Sequence, residues 1–256
     1  MSPLIGVIGR SDMSSPPTWT TLRGNSSSLG SSVWAHSSVG SKTIVALTGI
    51  ILLSFLFGHL LGNLTVYMGP SWTNSYGKHL RDFWPVLWTV RIILLVAGFL
   101  HIYFTVALWR GAAKATIKNV FRTHIQTRLF NRTVRLSGVS VFIFVLFHLC
   151  HFTWGLVQPA HAHLKTPDGE RDIFSMIAHG FRNPFISGLY ILGLFLLAFH
   201  LSHGVGSLFQ TLGISNRKFR PVFCAAGYFI AWMLFVGYTS IPVSILFFGL
   251  GADFIR

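Results

Sequence analysis

Four histidines lie inside four separate apolar stretches: His59, His101, His148 and His200. Histidine in hydrocarbon is costly and needs a partner. A neutral imidazole ligates haem iron, and two of them fill both axial positions. Four, one per stretch, read as two bis-histidine sites that pass electrons and keep no position open for oxygen. A single intramembrane histidine is as readily a hydrogen-bonded helix contact; four at matched depths are hard to obtain that way. His151 and His203 each lie three residues beyond one of the four, on nearly the same helix face. They could ligate instead, or hydrogen-bond a propionate or a quinone.

The elements that must position these residues are membrane helices. The chain is 52% hydrophobic and only 10% charged, with mean hydropathy +0.59, a balance that reads as a polytopic membrane protein. A span needs ~20 apolar residues. Five stretches qualify, at about 43–68, 85–109, 134–156, 184–208 and 221–248. Pro85, Pro184 and Pro221 stand at helix starts, where a missing N–H costs least. The expected fold is an all-α integral membrane protein, with four of its five spans bundled around two stacked haems. Residues 1–42 are a Ser/Gly/Pro-rich tail that cannot bury a core; 43–250 form the membrane domain; 251–256 are a short C-terminal tail. No secretory signal pattern opens the chain. Cys150 and Cys224 form neither a metal motif nor an expected disulfide.

Charge gives direction. The net charge of +14 could announce nucleic acid. Here the cations lie in short connections between spans, so topology explains them and nucleic acid is not an expected partner. The connection from Arg110 to Arg135 carries Arg110, Lys114, Lys118, Arg122, Arg128, Arg132 and Arg135 with no acid. Arg217, Lys218 and Arg220 sit on the same side, as do Arg10, Arg23 and Lys42 of the tail. Four of the six acids (Asp82, Asp168, Glu170 and Asp172) fall in connections on the opposite side. The N-terminus is therefore expected inside and the C-terminus outside. The basic inner face also suits docking of a soluble partner.

Direction gives depth. At ~1.5 Å per residue, His59 and His148 lie roughly 24 and 20 Å from the inner surface. His101 and His200 lie roughly 14 and 15 Å from it. The spacing thus sorts the four into an outer pair, His59 with His148, and an inner pair, His101 with His200. A weak internal repeat supports the arrangement: "LTGIILLSFLFGH" and "LSGVSVFIFVLFH" each place a glycine ten residues before the histidine, Gly49 and Gly138. Glycine there admits a flat macrocycle or a neighbouring helix.

Taken together, "SKTIVALTGIILLSFLFGHLLGNL", "GFLHIYFTVALWR", "RLSGVSVFIFVLFHLCHFTW" and "FHLSHGVGSLFQTLGI" resemble a known family. It is the diheme cytochrome b membrane anchor of succinate dehydrogenases and fumarate reductases, in its single-polypeptide, five-helix form. The resemblance runs from about residue 41 to 248. It implies that the third-span ligand follows a glycine by ten positions, which selects His148 over His151. It implies that the fourth-span ligand precedes a glycine by thirteen, which fits His200 and Gly213 and makes His203 second choice. It implies two haem b, a distal one on His59 and His148 and a proximal one on His101 and His200. It further implies a flavoprotein subunit and an iron–sulfur subunit as partners on the cytoplasmic side of a bacterial cytoplasmic membrane. As part of a succinate dehydrogenase the chain would pass electrons to a membrane quinone, menaquinone before ubiquinone; the dicarboxylate chemistry would belong to the flavoprotein. Some fumarate reductases of this type carry Glu two residues before the fourth-span ligand; here it is Ala198, which tilts direction toward succinate oxidation.

A quinone taking two electrons also takes two protons, so its site needs proton-bearing groups near the membrane edge. The first outer connection, "NSYGKHLRDFWP", offers Tyr76, Lys78, His79, Arg81 and Asp82 beside aromatics. Asp82 resembles a family position near the distal haem, with His79 assisting. Two other readings use the same histidines: an anchor for another dehydrogenase, of hydrogenase or formate dehydrogenase type, and a transporter using buried histidines for protons or metal ions.

Overall fold

Where no water reaches, backbone polar groups must bond within their own segment, and a long apolar stretch becomes a helix. The computed structural model describes residues 38–118, 125–214 and 216–254, and the side chains of 38, 113–118 and 125–132 lie outside that description. Among the described residues the chain is helical and has no named strand, only an isolated bridge between Lys165 and Arg171. Five helices are long and apolar enough to cross a membrane. They are α1 (Ser38–Leu64), α3 (Trp84–Lys118), α4 (Ile125–His148), α7 (Pro184–Thr211) and α8 (Arg220–Phe248). Three short helices lie between them: α2 (Pro70–Asp82), α5 (Pro159–Ala162) and α6 (Ile173–Arg182). The five apolar segments overlie the expected stretches, but α3 and α4 run about nine residues further at the end where they approach each other, and α4 gives way to a different turn after His148. Pro184 and Pro221 occupy first-turn positions, and Asn183 caps α7 by accepting from the N–H groups of Phe185 and Ile186.

The spans pair in chain order. α1 packs on α3, α4 packs on α7, and α8 runs closely along α7 while touching α1. The α4–α7 contact depends on Gly193, where an added Cβ would stand 2.2 Å from the Phe144 ring. Leu95, Phe99, Ile143, Phe185 and Phe229 point outward and are more than 60% exposed, a surface suited to lipid. At one end Arg135 of α4 lies over the Trp109 ring of α3 at 5.5 Å. This is the basic end. The tail with Arg10 and Arg23, and the side chains of Lys114, Lys118, Arg122, Arg128 and Arg132, lie outside the described residues.

The opposite end carries a folded cap where the sequence reads as open connections. "NSYGKHLRDFWP" lies largely in α2, which starts on Pro70 behind Gly69 (φ 91°) and buries Thr73 and Gly77 on one face. That one-turn spacing of small residues is too short an apolar signal to announce a helix. Gly77 meets α6 so closely that a Cβ would fall 2.0 Å from Ile173 Cδ1. Asn74 joins the two helices: its Oδ1 accepts from the N–H groups of Ile173 and Phe174, and its Nδ2 donates to Asp172. Asp172 caps α6 through the N–H and hydroxyl of Ser175. Glu170 pairs with Lys78 and lies 3.5 Å from Arg81. Beneath this cap Val66, Phe174, Ile177, Phe181, Ile186, Tyr190, Ile241 and Ile245 form one apolar core.

Candidate functional site

At the basic end two histidines are held by the same device. His101 on α3 places Nδ1 3.2 Å from Thr48 Oγ1 on α1. Thr48 donates its own hydrogen to carbonyls of its helix, Ile44 at 2.7 Å and Val45 at 3.1 Å. Its oxygen is therefore an acceptor toward His101. His200 on α7 places Nδ1 3.4 Å from Ser137 Oγ on α4, and Ser137 donates to Val134. In both rings the hydrogen then sits on Nδ1 and the lone pair on Nε2, the form that ligates a metal. Each ring also lies against the glycine after the hydroxyl residue: a Cβ on Gly49 would stand 3.5 Å from His101 Cε1, and one on Gly138 3.5 Å from His200 Cε1. The two repeats thus present a hydroxyl and a glycine to an imidazole from the following span.

At the capped end His59 and His148 face each other directly. Their ring centres are 5.8 Å apart with planes at 84°. Two imidazoles that meet across helices in this way could share one haem iron. His59 stacks on Phe55 at 5.1 Å, and Tyr238, its neighbour at 6.1 Å, donates to the Leu56 carbonyl. His148 Nδ1 lies 3.4 Å from the Tyr190 hydroxyl. Tyr190 in turn lies 3.0 Å from His151 Nδ1, and His151 Nε2 lies 3.1 Å from Gln158 Oε1.

The neighbouring histidines are engaged differently. His151 is 4% exposed and has both ring nitrogens in hydrogen bonds. His203 bonds through Nδ1 to the Phe199 carbonyl of its own helix and packs on the Phe199 ring. His59 and His148 meet one another across helices, and His101 and His200 each touch a neighbouring span. On α1 the step from Thr48 to His59 is eleven residues, as is the step from Ser137 to His148 on α4. Both correspond to a rise of ~16 Å, so the pairs stand at two levels. Among the described residues no group of three or more His, Cys, Asp or Glu converges on a point. A haem would take two imidazoles at each level; His59 and His148, which meet, fit that group, and His101 and His200 would be the two at the other level.

The quinone candidates lie on α2. Tyr76 packs on Gly62, one turn beyond His59, where a Cβ would fall 2.7 Å from its ring. Arg81 faces Glu170. His79 is exposed and spends Nδ1 on the Ser75 carbonyl, and Asp82 is exposed at the helix end. Tyr76 is thus the candidate seen to reach the span that carries His59. Sequence reasoning missed Thr48, Ser137, Tyr190 and Gln158. The first two had a signal, the Thr-Gly and Ser-Gly pairs at matching places in the repeat. Tyr190 and Gln158 had none, because only the tertiary arrangement brings them to His148 and His151. No protein-family model, curated protein or solved structure matches this chain.

Proposed function

We propose that this chain is a diheme cytochrome b that anchors a succinate:quinone oxidoreductase and carries its electrons across the membrane. The observation that supports the reading most is the pair of two-histidine levels: His59 opposite His148, and His101 and His200 in matching cradles of hydroxyl and glycine. His59 and His148 would hold the distal haem, and His101 and His200 the proximal one. Bound haem supplies one-electron chemistry that no side chain here offers. The chain's own part is to orient four imidazoles, keep water from them, and set the two levels ~16 Å apart.

The basic end faces the cytoplasm in this reading, where it docks the iron–sulfur subunit of a flavoprotein-bearing pair. Quinone is served at the capped end, where α2 carries Tyr76, His79, Arg81 and Asp82; Tyr76 against Gly62 is the contact that favours that end. The membrane would be a bacterial cytoplasmic membrane and the quinone menaquinone.

A reduced-minus-oxidised spectrum of the purified chain, with a haem assay, tests the proposal. The expected result is a b-type spectrum with two haems per chain; absence of haem from the purified protein rejects it. The subunits that co-purify separate the succinate reading from an anchor of another dehydrogenase. A flavoprotein with an iron–sulfur protein is expected; a hydrogenase or formate dehydrogenase subunit would overturn the assignment.

A further inference from the structure

Tyr190 stands between two histidines, 3.4 Å from His148 Nδ1 and 3.0 Å from His151 Nδ1, and it has one hydrogen to give. His151 decides where that hydrogen goes. Its Nε2 faces Gln158 Oε1, an acceptor, at 3.1 Å, so Nε2 carries the hydrogen and Nδ1 is left to accept. Tyr190 then donates to His151, and its oxygen accepts from His148 Nδ1–H. The lone pair of His148 falls on Nε2, the form that ligates. If Tyr190 gave its hydrogen to His148 instead, the Nε2 of His148 would be protonated and the ligand lost.

The backbone and the packing hold this chain of bonds in place. After His148 the helix widens into a π-helical turn, Leu149–Thr153, closed by Trp154 N–H on the Leu149 carbonyl at 2.9 Å. More residues per turn carry His151 further around the axis from His148 than an α-helix would. Gly180 of α6 closes over it: a Cβ there would stand 3.2 Å from His151 Cε1. Tyr190 and His151 are each 4% exposed, so water does not compete for these bonds.

We infer that Tyr190, His151 and Gln158 form a tautomer lock for His148: positioning residues that fix its ligating form and tune the cap-end haem alone. The inference rests on the function proposed above. A donated Nδ1–H makes an imidazole a stronger electron donor. Removing its acceptor should therefore raise the midpoint potential of that haem and weaken its retention.

The test is a redox titration with low-temperature electron paramagnetic resonance on the whole complex, comparing wild type with Tyr190→Phe, Gln158→Leu, His151→Leu and His151→Gln. Tyr190→Phe should weaken retention of the cap-end haem by ~10- to 100-fold, the range for outer-shell partners of a metal ligand. It should raise that haem's midpoint and shift its g values while the His101–His200 haem stays unchanged. Gln158→Leu, which touches no ligand, should move the same haem the same way by less. His151→Leu should resemble Tyr190→Phe, and His151→Gln, whose amide oxygen can accept from Tyr190, should restore much of the wild-type signal. The lock is overturned if Tyr190→Phe and Gln158→Leu leave the cap-end haem unmoved, if both haems shift together, or if His151→Gln abolishes one haem. A wild-type complex without b haem would instead reject the underlying function.

Discussion

The two levels of this bundle hold their histidines by different means. At the basic end the device is doubled. Thr48 and Gly49 of α1 face His101, and Ser137 and Gly138 of α4 face His200, with matching distances. At the capped end the repeat doubles only a phenylalanine four residues before each histidine, Phe55 stacked by His59 and Phe144 tilted by His148. His59 leans on Phe55, whereas His148 is tied to Tyr190 and through it to His151 and Gln158. The repeat in α1 and α4 therefore accounts for the hydroxyl–glycine cradles of one level, and at the other for a flanking aromatic alone. The difference follows from what surrounds each pair. The basic-end imidazoles meet hydroxyls that the repeat itself carries, while His148 draws on Tyr190 of α7 and, through His151, on Gln158 of the following connection, both outside the repeat.

The largest expected effect separates the levels outright. With haem bound as proposed, His101→Ala or His200→Ala should remove the one at the basic end and keep the other; His59→Ala or His148→Ala should do the reverse. Haem content would fall from two to one, read by extraction and by the loss of one step in a redox titration. If His203→Ala removes a haem while His200→Ala does not, the fourth-span assignment is wrong. Next in size are the hydroxyls. Thr48→Val and Ser137→Ala should each weaken basic-end haem retention by ~10-fold or more and leave the cap-end haem alone. Unequal effects on the two levels sharpen the comparison; equal effects on both would break it.

How much of this was legible in the sequence depended on periodicity and on distance along the chain. Five spans were readable because each is a long apolar stretch, and hydrocarbon leaves such a stretch few alternatives to helix. The grouping of His59 with His148 was readable because helix rise converts residue number into depth. The cap was not. α2 is mostly polar, and it is held by Asn74 on the N-terminus of α6, about a hundred residues away, a contact that no local pattern announces. The repeat glycines were visible, but the partner each one admits was not. Both lie at ordinary contact distance from the imidazole of the next span.

Gly49→Ala and Gly138→Ala should be tolerated, because the added Cβ would sit 3.5 Å from its histidine, a normal van der Waals contact. Gly193→Ala should not be, because its Cβ would meet Phe144 at 2.2 Å, and Phe144 packs on Tyr190 and lies near His148. Overpacking of that kind costs about 1–3 kcal/mol. Thermal melting should show the loss for Gly193→Ala, with the cap-end haem released first. A basic-end haem released first would break the link between that contact and the capped level.

The smallest expected effect concerns acid, and it too should fall on one end. Burial works to raise the Asp172 carboxyl, but hydrogen bonds from Ser175 and Asn74 outweigh it and hold the pKa below the usual carboxylate value. Its contribution is therefore complete above roughly pH 4 and is lost as pH falls through the lower folded value. His179 stacks on His161 at 4.2 Å between ring centres. Burial, helped by His161 and Arg182 against the opposing pull of Asp172, lowers its pKa. Folding thus favours the neutral ring. That stability is present above roughly pH 6.5 and is lost as pH falls through the folded value. The cap should loosen in two steps, at His179 and then at Asp172, while the basic-end pair stays as it was. Hydrogen exchange across residues 156–182 at stepped pH reads both. His179→Phe should remove the upper step. Asp172→Ala should remove the lower one and cost about 1 kcal/mol at neutral pH, the usual loss for a helix cap. Exchange that rises equally at α3 and α4 would mean that the cap is not a separate unit, and the contrast between the two levels would then need another cause.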